Sequence, residues 1–216
     1  MHHLALIGDI VAAKRLRAGE RANLQQRLED STRELNRTRR RFAIASNLTI
    51  TLGDEFQALF RRADRLWQCL FTIERDLYPT ELRFAIGVGD IVTSIKPRTA
   101  LGMDGPAFHR AREGIEQLRE TGHRYGIFGL TPEPPFLADT LALISNQRAT
   151  WKLPRIETLL DQLAGERPQV TATRLGLSPQ AIYKNISDGG LEPIQRILEQ
   201  STRTLNDALD AGAAST

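Results

Sequence analysis

An α/β sandwich with a mixed or antiparallel sheet, followed by a small all-α domain, is the fold class this sequence predicts, and three observations predict it. Short apolar, β-rich runs alternate with amphipathic segments in the order strand, helix, strand hairpin, helix, strand, helix, strand. A proline cluster, Thr131-Pro132-Glu133-Pro134-Pro135, then breaks the chain. Beyond it only helical patterns remain. The expected divisions are an α/β domain over residues 1–130, a linker with a connecting helix over 131–150, and a helical domain over 151–216.

The first strand is expected over residues 3–11, where unbroken apolar side chains indicate a central strand covered on both faces, with the Asp9-Ile10-Val11 step leaving the sheet. From Ala18 to about Arg37, Leu24, Leu28 and Leu35 recur near one helical turn among charged neighbours, the pattern of a helix packed on a sheet. Arg37, Arg39, Arg40 and Arg41 close it, either as a solvated helix end favoured by the helix dipole or as a place to meet phosphates. Phe42 to Leu52 reads as strand interrupted near Ser46-Asn47, leading into Thr51-Leu52-Gly53-Asp54-Glu55-Phe56-Gln57, where a glycine and two acids mark a hairpin tip.

A helix is expected from about Leu59 to Leu77, ended by Pro79, and Leu82 to Val92 is a strand whose Gly87 and Gly89 suit close backbone approach. Asp90 is a third acid at a strand end. Asp104-Gly105-Pro106 reads as a turn feeding a helix over Ala107 to Glu120, and such a helix start beside a strand end is also a phosphate cradle. Tyr125 to Leu130 is the last strand.

In the helical part, segments are expected over Leu137–Ile144 and Ile156–Leu163. Next, Val170 to Lys184 carries a helix-turn-helix signature: Ala172 at a tight crossing, Gly176 as the permissive turn, and Ser178-Pro179 as cap and first turn of a second helix. If this motif reads DNA, the exposed candidates are Gln180, Tyr183 and Lys184. Protein packing is the other use of such a motif. Residues 151–190 hold five Lys/Arg against four Asp/Glu, so one copy alone has a weak electrostatic footprint. A final helix, Leu191 to Leu209, closes the small domain or pairs two chains, and a homodimer would join two weak half-sites. The tail from Ala211 is expected to fray.

Composition removes several function classes. Formal charge is +3, from 29 basic and 26 acidic residues in 216, so charge alone announces no partner. One cysteine, Cys69, excludes an internal disulfide and fits a reducing, cytoplasmic compartment. No apolar run approaches the ~20 residues that cross a bilayer, so no membrane partner is expected. There is no GxGxxG after the first strand, no GxxxxGK[ST], no serine elbow, and no histidine or cysteine spacing for zinc.

Four stretches in order, ALIGDIVAAKR at Ala5 to Arg15, TLGDEFQALF at Thr51 to Phe60, RFAIGVGDIVT at Arg83 to Thr93 and MDGPAFHRAR at Met103 to Arg112, closely resemble the SatD family. The likeness covers essentially the whole chain, and family membership supplies no reaction. The first domain also looks, more distantly, like class III nucleotide cyclases and the palm-like fold of diguanylate cyclases, which implies a cyclase-like, ferredoxin-type core.

That resemblance implies that Asp9 and Asp54 hold Mg²⁺ or Mn²⁺, that Arg112 offsets charge on a transferring phosphoryl group, and that Gly53, Glu55, Gly105, His109 and Arg112 surround a nucleotide. Ile50, Phe108 and Leu52 stand where those enzymes place lysine, asparagine and glycine. The bland alternative for Asp9 and Asp54 is turn formation and backbone capping, and for Arg112 an ion pair. The expected function is a regulatory protein that binds a nucleotide-metal complex and DNA. The alternatives are a metal-dependent nucleotidyl cyclase or transferase, and a protein interaction module with a degenerate site.

Overall fold

The structure, a computed structural model, describes residues 1–11 and 17–214. Residues 12–15 of the first family-like stretch and the last two residues of the tail lie outside the described residues. Five strands and eight helices are described in the order β1 (His3–Ile10), α1 (Ala18–Arg37), β2 (Ile44–Leu52), β3 (Glu55–Phe60), α2 (Leu66–Leu77), β4 (Leu82–Gly89), α3 (Pro106–Thr121), β5 (Tyr125–Phe128), α4 (Leu137–Ala149), α5 (Leu153–Ala164), α6 (Pro168–Leu175), α7 (Pro179–Asp188) and α8 (Leu191–Ala214).

The sheet runs β2-β3-β1-β4-β5, antiparallel throughout except for the parallel β4–β5 pair. It is a mixed sheet with β1 at its centre, which is why all eight β1 residues are buried and the strand lacks polar alternation. Strand alternation sends Leu4, Leu6 and Ile10 to one face, against α1 and α2, and Ala5 and Ile7 to the other, against Ala107, Ala111, Ile115 and Leu118 of α3. Helix α3 lies close to the sheet because Gly87 has no side chain: a Cβ there would stand 2.0 Å from the Ala107 carbonyl oxygen.

The expected helix start at Leu59 is corrected. Leu59 and Phe60 complete β3, opposite Ala5 and Leu4, and α2 begins at Leu66. Because β3 is covered on both faces, its Ala58-Leu59-Phe60 run shows no period of two. The strand expected to reach Val92 stops at Gly89, and Asp90 accepts from His2 Nδ1 at 3.0 Å. Helix α4 runs five residues past the expected Ile144, and α8 continues to Ala214 through the start of the expected frayed tail.

The region after the prolines is largely α-helical, as expected, and its apolar residues join the core of the sheet's α1/α2 face. One cluster runs from Leu4, Phe56 and Phe84 through Trp67, Phe71 and Tyr125 to Ile156, Ile182, Leu198 and Leu205. Polar ties reinforce it. Trp67 Nε1 donates to Ser201 Oγ at 2.8 Å, and Asn206 Oδ1 accepts from the Ala63 amide at 2.8 Å. Deeper in, Glu74 accepts from Tyr125 Oη at 2.7 Å and from Arg148 Nε at 2.5 Å, all three side chains being buried. Cys69 lies in the same core, and burial pushes its thiol pKa far up, so it packs as a small apolar group.

Between α6 and α7 the chain turns at Gly176, with φ +62°, and Ser178 Oγ accepts from the Ala181 amide at 3.2 Å to cap α7. Ile182 and Ile186 point into the core, and Gln180, Tyr183 and Lys184 are exposed.

Candidate functional site: an acid and arginine cluster at one end of the sheet

Register and alternation build this cluster. Asp9 pairs with Glu55 of β3 on one side and with Arg83 of β4 on the other, so three charged side chains form a row across three adjacent strands. They share the face that carries Ala5, Ile7, Leu59 and Ala85, beneath α3. Helix α3 adds Arg112 and Arg119, two turns apart and therefore on one side of the helix.

Asp9 is 4 % exposed and its oxygens are fully engaged. Arg119 Nη2 donates to Oδ1 at 2.9 Å and Nε to Oδ2 at 3.3 Å, while Arg83 Nη1 donates to Oδ2 at 3.2 Å. Glu55, also buried, lies 3.8 Å from Arg119 Nη2 and 3.6 Å from Arg112 Nη1, and Thr51 Oγ1 reaches its carboxylate at 3.3 Å. Hydrogen bonding to Asp9 raises the Arg119 pKa against the opposing effect of burial. Arg119 also reaches Glu116 at 2.5 Å. The Arg83 Nε–H is buried and has no acceptor among the described residues. Such an orphan donor costs about 1–3 kcal/mol unless a ligand or water oxygen meets it.

The expected site residues divide. Asp9, Glu55 and Arg112 come together. Gly53, with φ +50°, and Asp54 form the hairpin turn beside them; the Asp54 carbonyl accepts from the Ile10 amide at 2.9 Å, and its carboxylate has no hydrogen bond or ion pair among the described residues. The register partner of Asp9 is thus Glu55, one residue beyond Asp54. Gly105 and His109 stand at the start of α3, where His109 Nε2 contacts Asp104 Oδ1 at 2.6 Å. His109 lies one turn before Arg112 with its ring turned to Asp104, and neither it nor Gly105 has a hydrogen bond or ion pair to Asp9, Glu55 or Arg83 among the described residues.

Arg83 and Arg119 carry no expectation from the sequence, although each had a signal. Arg83 interrupts the buried face of a strand that is otherwise apolar, and Arg119 follows Arg112 at a helical repeat.

Asp9 and Glu55 are oxygen donors on one face, the kind Mg²⁺ or Mn²⁺ takes. A cation reaches Asp9 only by displacing a guanidinium, and of the two that hold it Arg119, on the last turn of α3, is 38 % exposed against 16 % for Arg83. Among the described residues no group of three or more His, Cys, Asp or Glu side chains is placed to hold a metal.

The fold and this cluster define a class of protein: a mixed α/β sheet domain with a charged sheet end, joined to a largely helical region. The family model described as the SatD family matches residues 3–131, and the chain belongs to that family. Two solved structures overlap it loosely, each described as a bacterial light-regulated adenylyl cyclase. One is 15 % identical with a TM-score of 0.37, covering 58 % of this chain and 74 % of that one. The other is 14 % identical with a TM-score of 0.36, covering 59 % of this chain and 43 % of that one. Overlap this loose carries no argument about the reaction. No curated protein matches the chain. Among the described residues, no helix is long and apolar enough to cross a membrane.

Proposed function

We propose that the protein is regulatory, with the α/β domain binding a phosphate-bearing nucleotide at the Asp9–Glu55 end of the sheet and the α6–α7 motif contacting DNA. The observation that carries this reading is three guanidiniums gathered over two buried carboxylates, one of them with an unmet buried N–H. Buried charge networks seldom repay their desolvation in stability, so their placement at a partly open sheet end favours a binding role. In this reading Arg112 and Arg119 meet the phosphates and Arg83 Nε donates to one of their oxygens. The two carboxylates hold the guanidiniums in place and turn to a divalent cation, Mg²⁺ or Mn²⁺, if Arg119 leaves Asp9 for the ligand. The cation would supply neutralisation of phosphate charge.

Incubation with a nucleotide panel, with and without Mg²⁺ or Mn²⁺, tests this by melting temperature and product analysis on one sample. Stabilisation that Arg119→Gln removes supports binding. A product lost in Asp9→Asn and Asp54→Asn would make the protein a nucleotidyl cyclase or transferase instead. No shift and no product under any condition ends the reading, leaving an interaction module. The DNA arm rests on the exposure of Gln180, Tyr183 and Lys184, and unchanged binding in a Gln180→Ala, Lys184→Ala variant removes that recognition face.

A further inference from the structure

Away from the Asp9 cluster, along edge strand β2, two segments distant in sequence bring five cations together. The connection after β4 is strapped along β2 by polar contacts. The Pro97 carbonyl accepts from Arg39 Nη1 at 3.0 Å and from the Asn47 amide at 3.2 Å, Ser46 Oγ donates to the Lys96 carbonyl at 2.5 Å, and the Ala100 amide donates to Thr49 Oγ1 at 3.0 Å. Lys96 and Arg98, which flank Pro97, are exposed, and Arg39, held on the Pro97 carbonyl, brings with it the exposed Arg40 and Arg41 of the turn between α1 and β2. Arg41 lies over the Phe42 ring at 5.8 Å.

Among the described residues, none of Arg39, Arg40, Arg41, Lys96 and Arg98 is ion-paired. Of the acids nearby, Asp30 pairs with Arg33 at 2.8 Å and Glu34 with Arg37 at 3.6 Å, while Glu29 lines the adjoining concavity. Next to the strap, Arg33, Arg37 and Arg98 line an open concavity of ≈ 590 Å³ with Asn36, Asn47 and Thr49. Charges of one sign within a Debye length of ~10 Å at 0.1 M salt repel one another, and here specific hydrogen bonds hold them together.

We propose that this surface binds the phosphate backbone of double-stranded DNA, independently of base sequence. Four of the five cations are arginines, whose planar fork matches phosphate oxygens. The apolar residues between them, Phe42, Ile44 and Ala100, are buried and offer nothing to insert among lipid chains. The surface lies on the α/β domain, apart from α7, and supplies the electrostatic affinity that residues 151–190 lack.

The test measures binding of the full chain to a fluorescent 24-base-pair duplex of arbitrary sequence between 50 and 200 mM salt, beside vesicles rich in anionic phospholipid. The variant carries Arg40→Gln, Arg41→Gln, Lys96→Gln and Arg98→Gln, sparing Arg39, which holds the strap; an unchanged melting temperature confirms that it folds. The expected result is at least a tenfold rise in Kd and a loss of about 3 to 4 from the slope of log K against log salt. The Gln180→Ala, Lys184→Ala variant keeps most of that slope. Unchanged Kd and slope in the four-site variant, no duplex binding by the unaltered chain at 50 mM salt, or binding to vesicles alone overturns the proposal. The exposed Val92 and Leu101 on the same connection are the reason for the vesicle arm.

Discussion

Two buried charge networks among the described residues are built to opposite plans. The Glu74 network, between α2, β5 and α4, is closed: its carboxylate oxygens are taken by Tyr125 and Arg148, and all three side chains are buried. The Asp9 network, beneath the end of α3, is open: Arg112 and Arg119 are 58 % and 38 % exposed, and Arg83 keeps an unmet N–H. A closed network fixes one packing arrangement. An open one keeps donors in reserve, which costs stability unless something binds.

The largest test of this contrast is Glu74→Ala. It leaves the Arg148 guanidinium buried without its counterion, a loss of about 3–5 kcal/mol. At roughly 2–4 °C per kcal/mol for a chain of this size, the midpoint in calorimetry falls by about 10 °C. Burial raises the Tyr125 phenol well above its ordinary pKa, so the phenol keeps its proton and goes on donating to Glu74 at neutral pH.

Next comes Gly87→Ala, which drives a methyl group into the Ala107 carbonyl and pushes α3, with Arg112 and Arg119, off the sheet. Denaturant unfolding is expected to show a loss of about 1–3 kcal/mol, with ligand response falling alongside. Arg119→Gln separates the two networks most cleanly. Stability falls by about 1–3 kcal/mol, because buried Asp9 loses one of its two guanidinium partners and keeps Arg83. Nucleotide-induced stabilisation is lost.

The smallest effect is at His3. Burial lowers its pKa below 6.5, so beneath that pH the unfolded chain binds a proton that the folded one refuses. Stability is full above about pH 6.5 and declines from there toward the lowered folded value, and His3→Gln flattens that part of the profile.

Much of the fold was legible in the sequence because punctuation and periodicity agreed. Gly53-Asp54 turns between paired strands, Pro106 opens α3, and Gly176 and Ser178 bracket the short turn before α7. The start of α2 was not legible, since a strand covered on both faces loses the alternation that distinguishes it from helix. Of the charged cluster, Asp9, Glu55 and Arg112 were visible as residues, but their partners were not. That Glu55 and not Asp54 faces Asp9 depends on cross-strand register, and Arg119 arrives from 110 positions away through the path of α3. The buried pairing of Glu74 with Arg148, 74 positions apart, left no local trace.

That pairing also has a practical consequence for dissecting the chain. The family match ends at residue 131, yet the counterion of Glu74 sits at residue 148 and the partners of Trp67 and the Ala63 amide sit at 201 and 206. A fragment cut at the match boundary would strip the α1/α2 layer of its cover and strand a carboxylate in it. Such a fragment is expected to aggregate on expression, and shortened versions of this protein should be trimmed from within loops of the whole chain.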